Sequence, residues 1–413
     1  MLELRTARGP TAHQGTELAF GMGMSWGTHP WQPVNPTPPG DHVRSRRSAV
    51  TLVVLVIACG GSTRKEAPSG RLGEFTLATS HSLPTLVEAR PATADPVIID
   101  KFGAITVASN GVTALFSETT GETSVLLVGV DGGIQAKIRK PGQGPGEFVW
   151  PSAIFFADTT LYVFSNARSV AIRYDEHGHF LDETPLNVLS RGVAGVSGGL
   201  ADAMAYDQRG FAKLMLAPIG PQPPRPFISS ANAFVEGAAA DRENPGSLAP
   251  PPFVRSGRFG IVGNGWTYEI AVFDTSGAQI GVFGRRLPTQ LLGPRALALR
   301  RASLEKGLSA PGQGPDNSQL VQRLDTIHRQ HAPHFGRGGL GFDGKGRLWV
   351  VGTLGDSTFA DVFADTTFLG RHVLPCAKSS GGASVSGSFL ALRCLRDDDE
   401  NYSVRLYQIV ERR

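Results

Sequence analysis

The segment AVFDTSGAQIGVFG, residues 271–284, returns in degraded form along the chain. Its relatives are LLVGVDGGIQAKIR (126–139), AIRYDEHGHFLDET (171–184), MAYDQRGFAKLML (204–216), LGFDGKGRLWVVG (340–352) and DVFADTTFLGRHVL (361–374). Each copy reads as a strand, a tight turn at an Asp, and a second strand. Short apolar runs on either side of Asp-Gly or His-Gly mark a β-hairpin. Glycine belongs there because a tight hairpin turn demands a positive φ, which a Cβ disfavours. A single hairpin cannot bury both of its faces. A hairpin unit repeated along a chain can, by stacking on its own copies, so the pattern implies radial or linear repetition. With strands dominating, the expected class is all-β, a β-propeller.

The length sets the number of blades. Residues 74–413 hold 340 positions, and one four-stranded blade takes roughly 40–50. Setting aside an atypical stretch at 288–333, the remainder divides into six blades, with seven as the alternative. We place units at 107–148, 149–188, 189–235, 236–287, 334–375 and 376–411, after an opening segment at 74–106 whose PVIIDKFGAITVAS reads as strands. The third and fourth units are the most eroded. The atypical stretch breaks the strand pattern. LLGPRALALRRASLEKGL and NSQLVQRLDTIHRQHA carry apolar residues three and four apart, separated by SAPGQGPD. They predict two short helices, a helical insertion at 289–332 within the propeller domain 74–413. Its readings are a lid or partner-docking element, or a plain insertion.

The N-terminal region carries an address. Residues 1–42 show no period. RSRR (44–47), the apolar run AVTLVVLVIA (49–58) and Cys59-Gly60-Gly61 follow. A basic stretch, a short apolar run and a small residue before the cut describe a secretory signal. The apolar run is too short for the roughly 20 residues of a spanning helix. VIAC resembles the bacterial lipobox, which makes Cys59 the expected lipidation site and the bilayer a partner. On that reading 1–58 is a signal-peptide region with an N-terminal extension (Met22, Met24 or Val43 as the start), and 59–73 is a flexible tether. An ordinary signal peptide with a chance Cys is the alternative. The expected location is exported, lipid-anchored to a bacterial membrane, facing periplasm or cell surface.

An exported chain also admits a disulfide. Cys376 and Cys394 flank a Gly/Ser-rich stretch, 379–388, between two apolar runs. A bridge between them is expected, with two buried thiols as the alternative. The low charged fraction (18%) and the 51 glycines suit a turn-rich β protein. The net charge of +4 is scattered without a basic stripe, so no nucleic-acid partner is expected.

Residues 137–156, KIRKPGQGPGEFVWPSAIFF, hold a more specific string. It resembles the six-bladed β-propeller lipoproteins of bacteria related to NHL-repeat proteins, in which a G-x-G-P-G-E-F loop joins the outer strand of one blade to the inner strand of the next. Gly142, Gly144, Pro145, Gly146, Glu147 and Phe148 match that motif. GFDGKGRLWVVG and DVFADTTFLGRHVLP, with the insertion before them, resemble the family's penultimate blade, so the resemblance spans about 90–411. It implies fold and address rather than an activity. The loop also makes sense as structure: its glycines permit a sharp crossover, Pro145 stiffens it and Phe148 can anchor it in the core. No Lys-Ser/Thr or helix follows, as a phosphate-cradling loop would require.

Other polar groups are candidates for chemistry. His328, His331 and His334 could bind Zn²⁺, but their spacing spreads them around a helix, and a solvated helix end is simpler. Asp397, Asp398, Asp399 and Glu400 suit calcium or, more simply, a solvated loop. His177 and His179 bracket a turn at Gly178. The inner-strand-end positions Asn110, Ser152, Gly198 and Gly263 offer little metal-binding chemistry. There is no nucleophile elbow, His-Glu-x-x-His or Walker loop. No catalytic, cofactor-binding or metal residue is assigned, and no cofactor is expected. The expected function is a membrane-anchored, non-catalytic propeller that binds a protein, peptide or glycan in the cell envelope. The alternatives are a metal-dependent hydrolase or lyase acting at the channel, and a structural envelope component.

Overall fold

In the computed structural model the strands among the described residues form six four-stranded antiparallel sheets and one two-stranded ribbon. The structure describes residues 77–89, 104–119, 122–138, 141–149, 151–165, 167–186, 192–197, 199–206, 212–220, 222–228, 253–257, 259–288, 290–295, 297–298, 301–302, 305, 331–376, 378–395 and 402–412. The chain divides into Met1–Arg64 and Lys65–Arg413, and all described residues belong to the second unit. The signal region, Cys59 and the tether at 59–73 therefore lie outside the described residues, as do His328 and the acidic run 397–400.

Each sheet is one blade, its strands ordered from the inside outward. Blade one is Ile105–Val107, Thr113–Thr119, Glu122–Val128 and Ile134–Ile138. Blade two is Pro151–Ala157, Thr160–Ser165, Val170–Tyr174 and Phe180–Pro185. Blade three is Gly192–Ser197, Leu200–Tyr206, Ala212–Pro218 and Arg225–Ile228. Blade four is Phe253–Ser256, Phe259–Asn264, Glu269–Phe273 and Gln279–Gly284. Blade five is Phe335–Phe342, Leu348–Leu354, Ser357–Ala364 and Thr367–Leu374. Blade six is Lys378–Ser386, Phe389–Leu395 and Tyr402–Val410, with Thr85–Glu88 as its outer strand. The inner strands neighbour one another in chain order, and that of blade six returns to that of blade one. The ring is a six-bladed β-propeller.

The ring exists because the middle strands are apolar on both faces. Buried side chains fall into six clusters, one in each seam between neighbouring blades. Alternation along a strand divides its residues between two seams. Ala114 and Phe116 enter the seam with blade two, while Leu115 between them enters the seam with blade six. Leu390 and Leu392 likewise face blade five, and Ala391 faces blade one. Each large aliphatic or aromatic side chain so buried contributes about 1.5–3 kcal/mol.

Closure corrects the expected opening segment at 74–106, which is not one unit. Ile105–Val107 begins blade one, while Thr85–Glu88 pairs antiparallel with the last strand, Thr85 opposite Val410 and Glu88 opposite Tyr407. The third and fourth units, eroded in sequence, form complete four-stranded blades. The small residues of GVAGVS and LADAMAY keep their ladder while offering little side-chain signal.

The recurring Asp phrase is a hairpin signature, not a blade-position signature. Four copies sit between the third and outer strands of blades one, two, four and five, and 340–352 sits between the first two strands of blade five. The copy at 204–216 joins the second and third strands of blade three, at the opposite end of its sheet. In blade four, Asp274 Oδ1 accepts the N–H of Ser276 (2.8 Å) and of Ala278 (3.0 Å), and Gly277 sits at φ +82°. Gly277 also abuts the previous blade: a Cβ there would lie 1.9 Å from the carbonyl oxygen of Phe227. Gly277→Ala should thus incur a positive-φ cost of about 1–2 kcal/mol and a seam clash as well. Gly199, at φ +72° with nothing within 4 Å of its Cβ position, carries only the first cost. Urea unfolding should therefore show Gly277→Ala losing clearly more stability than Gly199→Ala.

The insertion leaves the ring between blades four and five on a two-stranded ribbon, Gln290 opposite Ala332 and Leu291 opposite His331. Helical residues follow between 294 and 305, where Leu297 N–H donates to Gly293 O (2.8 Å) and Arg301 pairs with Glu305. The second expected helix lies mostly outside the described residues. Its last two residues, His331 and Ala332, are strand rather than helix because the ribbon pairs them with Gln290 and Leu291.

Candidate functional site

Several charged side chains of the ring gather where blades meet, while others, such as the Arg173–Asp182 pair, lie partly exposed within one blade. The GQGPGEF string runs from the outer strand of blade one to the inner strand of blade two. Glu147 folds back so that its carboxylate accepts the Gly144 N–H (2.8 Å), while Phe148 is fully buried in the seam. Gly146 sits at φ +69° with the Phe180 ring 2.7 Å from its Cβ position, so no larger residue fits there. Three residues that the motif does not contain hold the loop down. Arg168 donates to the carbonyls of Gly144 (2.9 Å) and Glu147 (3.0 Å), and the Tyr174 hydroxyl donates to Gly146 O (2.6 Å). Glu183 accepts the Gly146 N–H (3.1 Å) and pairs with Arg168 through both oxygens. The Arg168 guanidinium holds the Glu183 carboxyl below the usual carboxylate range, and burial raises the Tyr174 phenol. The loop's backbone groups are thereby engaged by blade two itself.

A second lock closes the seam between blades four and five. The Asp361 carboxylate, fully buried, accepts the Tyr268 hydroxyl, Arg285 (2.8 Å) and both Nε and Nη2 of Arg371 (2.5 and 2.8 Å). Arg285 lies over the Phe368 ring and Arg371 over the Phe359 ring, each at 4.1 Å, which adds cation–π attraction. Arg371 and Glu183 occupy the same register position of their blades. Glu183 lies opposite Ile172, two residues before Tyr174, and Arg371 lies opposite Asp361, two before Phe363. One outer-strand position thus locks two different seams with opposite charge. Blades three and four share a third buried pair, Arg255 with Asp202 at 2.8 Å.

The ribbon of the insertion joins the second lock. Gln290 Nε2 donates to the carbonyls of Pro333 (3.1 Å) and Thr353 (3.2 Å). His334, buried, donates its N–H to Gly265 O (2.8 Å), accepts the Thr353 N–H (3.0 Å), and sets its ring edge-on to Tyr268 at 5.8 Å between centroids. Of the three histidines weighed for zinc, His334 is therefore in a blade seam. Leu291 and Leu354 are both exposed where ribbon and ring meet.

Other singled-out residues are dispersed. His177 and His179 are exposed on the blade-two turn, with His179 Nδ1 2.9 Å from Asp175 Oδ2. Asn110 donates to Glu176 and Ser152 Oγ to Phe164 O (3.2 Å). Gly263 lies on the second strand of blade four, not an inner strand, and Gly198 lies outside the described residues. Cys376 and Cys394 are bonded in the seam of blades five and six, Cα atoms 5.2 Å apart. Among the described residues no group of three or more His, Cys, Asp or Glu is placed to hold a metal ion. Arg168, Tyr174, Glu183 and Asp361 went unnoticed in sequence. Asp361 did leave a signal: it sits in step with Phe359 and Phe363, where alternation calls for an apolar residue.

The fold and its seams define a six-bladed β-propeller. No known family and no curated protein matches the chain. Among solved structures it is similar to a Bacteroides fragilis protein classed as exported, at 12% identity over 80% of this chain and 96% of that one, with a TM-score of 0.41. It is also similar to the Swd1 β-propeller domain of Myceliophthora thermophila, at 11% identity over 76% and 99%, TM-score 0.38. A third likeness is to a DUF4221 family member of Bacteroides vulgatus, at 11% identity over 81% and 100%, TM-score 0.36. Likenesses this distant carry no argument about ligand or activity; the fold rests on the strand order.

Proposed function

We propose that this chain is a membrane-anchored, non-catalytic propeller that binds a protein, peptide or glycan in the cell envelope, and that it does so around the insertion. The observation that carries the reading is the ribbon Gln290–Leu291/His331–Ala332. It is the one described β element outside the six sheets, and it stands on a ring whose ion pairs at the seams hold blades together. Propellers use such a rigid ring to present variable segments. The anchor rests on Cys59 and its lipobox-like surroundings, and the bacterial envelope address follows from it.

The reading is tested by a photo-crosslinking residue placed at Leu291 or Leu354, with Ile134 on the outer strand of blade one as reference. In intact envelopes a discrete adduct is expected from the first two positions and none from Ile134. Adducts of equal yield at all three positions would refute a localised binding surface and favour a structural envelope component. Labelled fatty acid should enter the wild-type chain and not Cys59→Ala; label retained by the variant would refute the anchor.

A further inference from the structure

We infer that His334 is an acid-sensitive pin: with its ring neutral the ribbon stays seated on blades four and five, and with the ring protonated the ribbon lifts away. His334 immediately follows the ribbon and Pro333. Its backbone joins both blades, to Gly265 in the turn of blade four and Thr353 on the second strand of blade five. Its ring is packed on Tyr268, whose hydroxyl is held by Asp361.

The charged and titratable groups of the lock on which this ring packs come from four places. Tyr268 comes from the second-to-third turn of blade four, Arg285 from the end of its outer strand, Asp361 from the third strand of blade five, and Arg371 from its outer strand. Two guanidiniums already share the single carboxylate. An imidazolium would be a third cation beside one anion, in a place with little water. Burial disfavours the charged ring and Arg371 adds to that, against a smaller pull from Asp361, so the histidine is held below its ordinary range. The lifted state frees the ring to take a proton at the ordinary histidine pKa of about 6.5. The linkage follows: as pH falls through that value, lifting gains progressively, approaching tenfold per pH unit, until the seated ring's own lower pKa is reached.

Hydrogen exchange on the full chain tests this. With intrinsic rates corrected, peptides covering 331–342 should open about fivefold more readily at pH 5.5 than at pH 6.5, while peptides covering 160–174 in blade two stay unchanged. His334→Phe, which keeps an aromatic ring on Tyr268, should remove the acid response of 331–342. The variant is needed because His372, stacked on Trp349 at 6.0 Å, is a second imidazole whose pKa burial lowers. Three results would overturn the inference: no acid response in 331–342, an equal response in 160–174, or a response that persists in His334→Phe. Should that variant fail to fold, the His334 ring carbon resonance of the wild-type chain decides, since a midpoint at or above 6.5 would also overturn it.

Discussion

Arg347→Ala is expected to lower the unfolding free energy by about 3–5 kcal/mol. The side chain is 1% exposed, as is that of its partner Asp343, with Nε and Oδ2 2.7 Å apart. Arg347 lies in the turn between the first two strands of blade five, yet it reaches both ends of the propeller chain. It donates to Ser82 O (3.2 Å), just before the strand that closes the ring, and to both oxygens of Glu411, just after the last strand. Truncation leaves Asp343 buried with only the N–H groups of Lys345, Arg347 and Trp349. Those donors soften an isolated carboxylate but do not neutralise it. Closure should suffer first, so Thr85–Glu88 should become accessible to protease before the rest of the ring unfolds. If the stranded carboxylate is the main cost, Asp343→Asn combined with Arg347→Met should recover part of the loss. A double variant no better than Arg347→Ala, by urea unfolding at pH 7, would show that the link between the chain ends dominates instead.

That clasp shows why some of this fold is legible in the sequence and some is not. A turn such as Asp274-Thr275-Ser276-Gly277 is made by neighbours in sequence: a carboxylate that accepts the next N–H groups and a glycine at positive φ. Its chemistry is therefore written locally, and six recurring copies suffice to suggest the repeat. Where a hairpin sits within its blade depends on which strands flank it, and MAYDQRGFAKLML, at the opposite end of its sheet, differs from the others in nothing local. Closure is less local still. Four residues, TLVE, pair with strand residues more than 300 positions away, and nothing in TLVE names its partner. The GQGPGEF string gives away its glycines and its Phe anchor, but Arg168, Tyr174 and Glu183 serve it from another hairpin. The same holds for His334, which reads as part of a histidine series and works as the seat of a ribbon.

Asp361→Asn is expected to cost about 3 kcal/mol, the second large effect, and its size follows from who is left behind. The carboxylate is the common acceptor of Tyr268, Arg285 and Arg371. A carboxamide keeps the shape but offers one acceptor oxygen and no charge, so two guanidiniums face each other across the seam. Both are partly exposed, which lets water moderate the repulsion and keeps the loss at the lower end of the range for broken buried pairs. Glu183→Gln, at the same register position in blade two, should cost about 1–2 kcal/mol, because it strands one guanidinium, that of Arg168, rather than two. The pH dependence separates this from a packing effect. Arg168 holds the folded Glu183 carboxyl below its unfolded value, so the pair's contribution is present above the unfolded pKa of about 4.3 and is lost as pH falls through the folded one. The gap between wild type and Glu183→Gln in urea unfolding should therefore be full at pH 6 and shrink as the pH drops below about 4. A gap that stayed constant to pH 3 would assign the effect to the loop's packing and not to the charge that locks it.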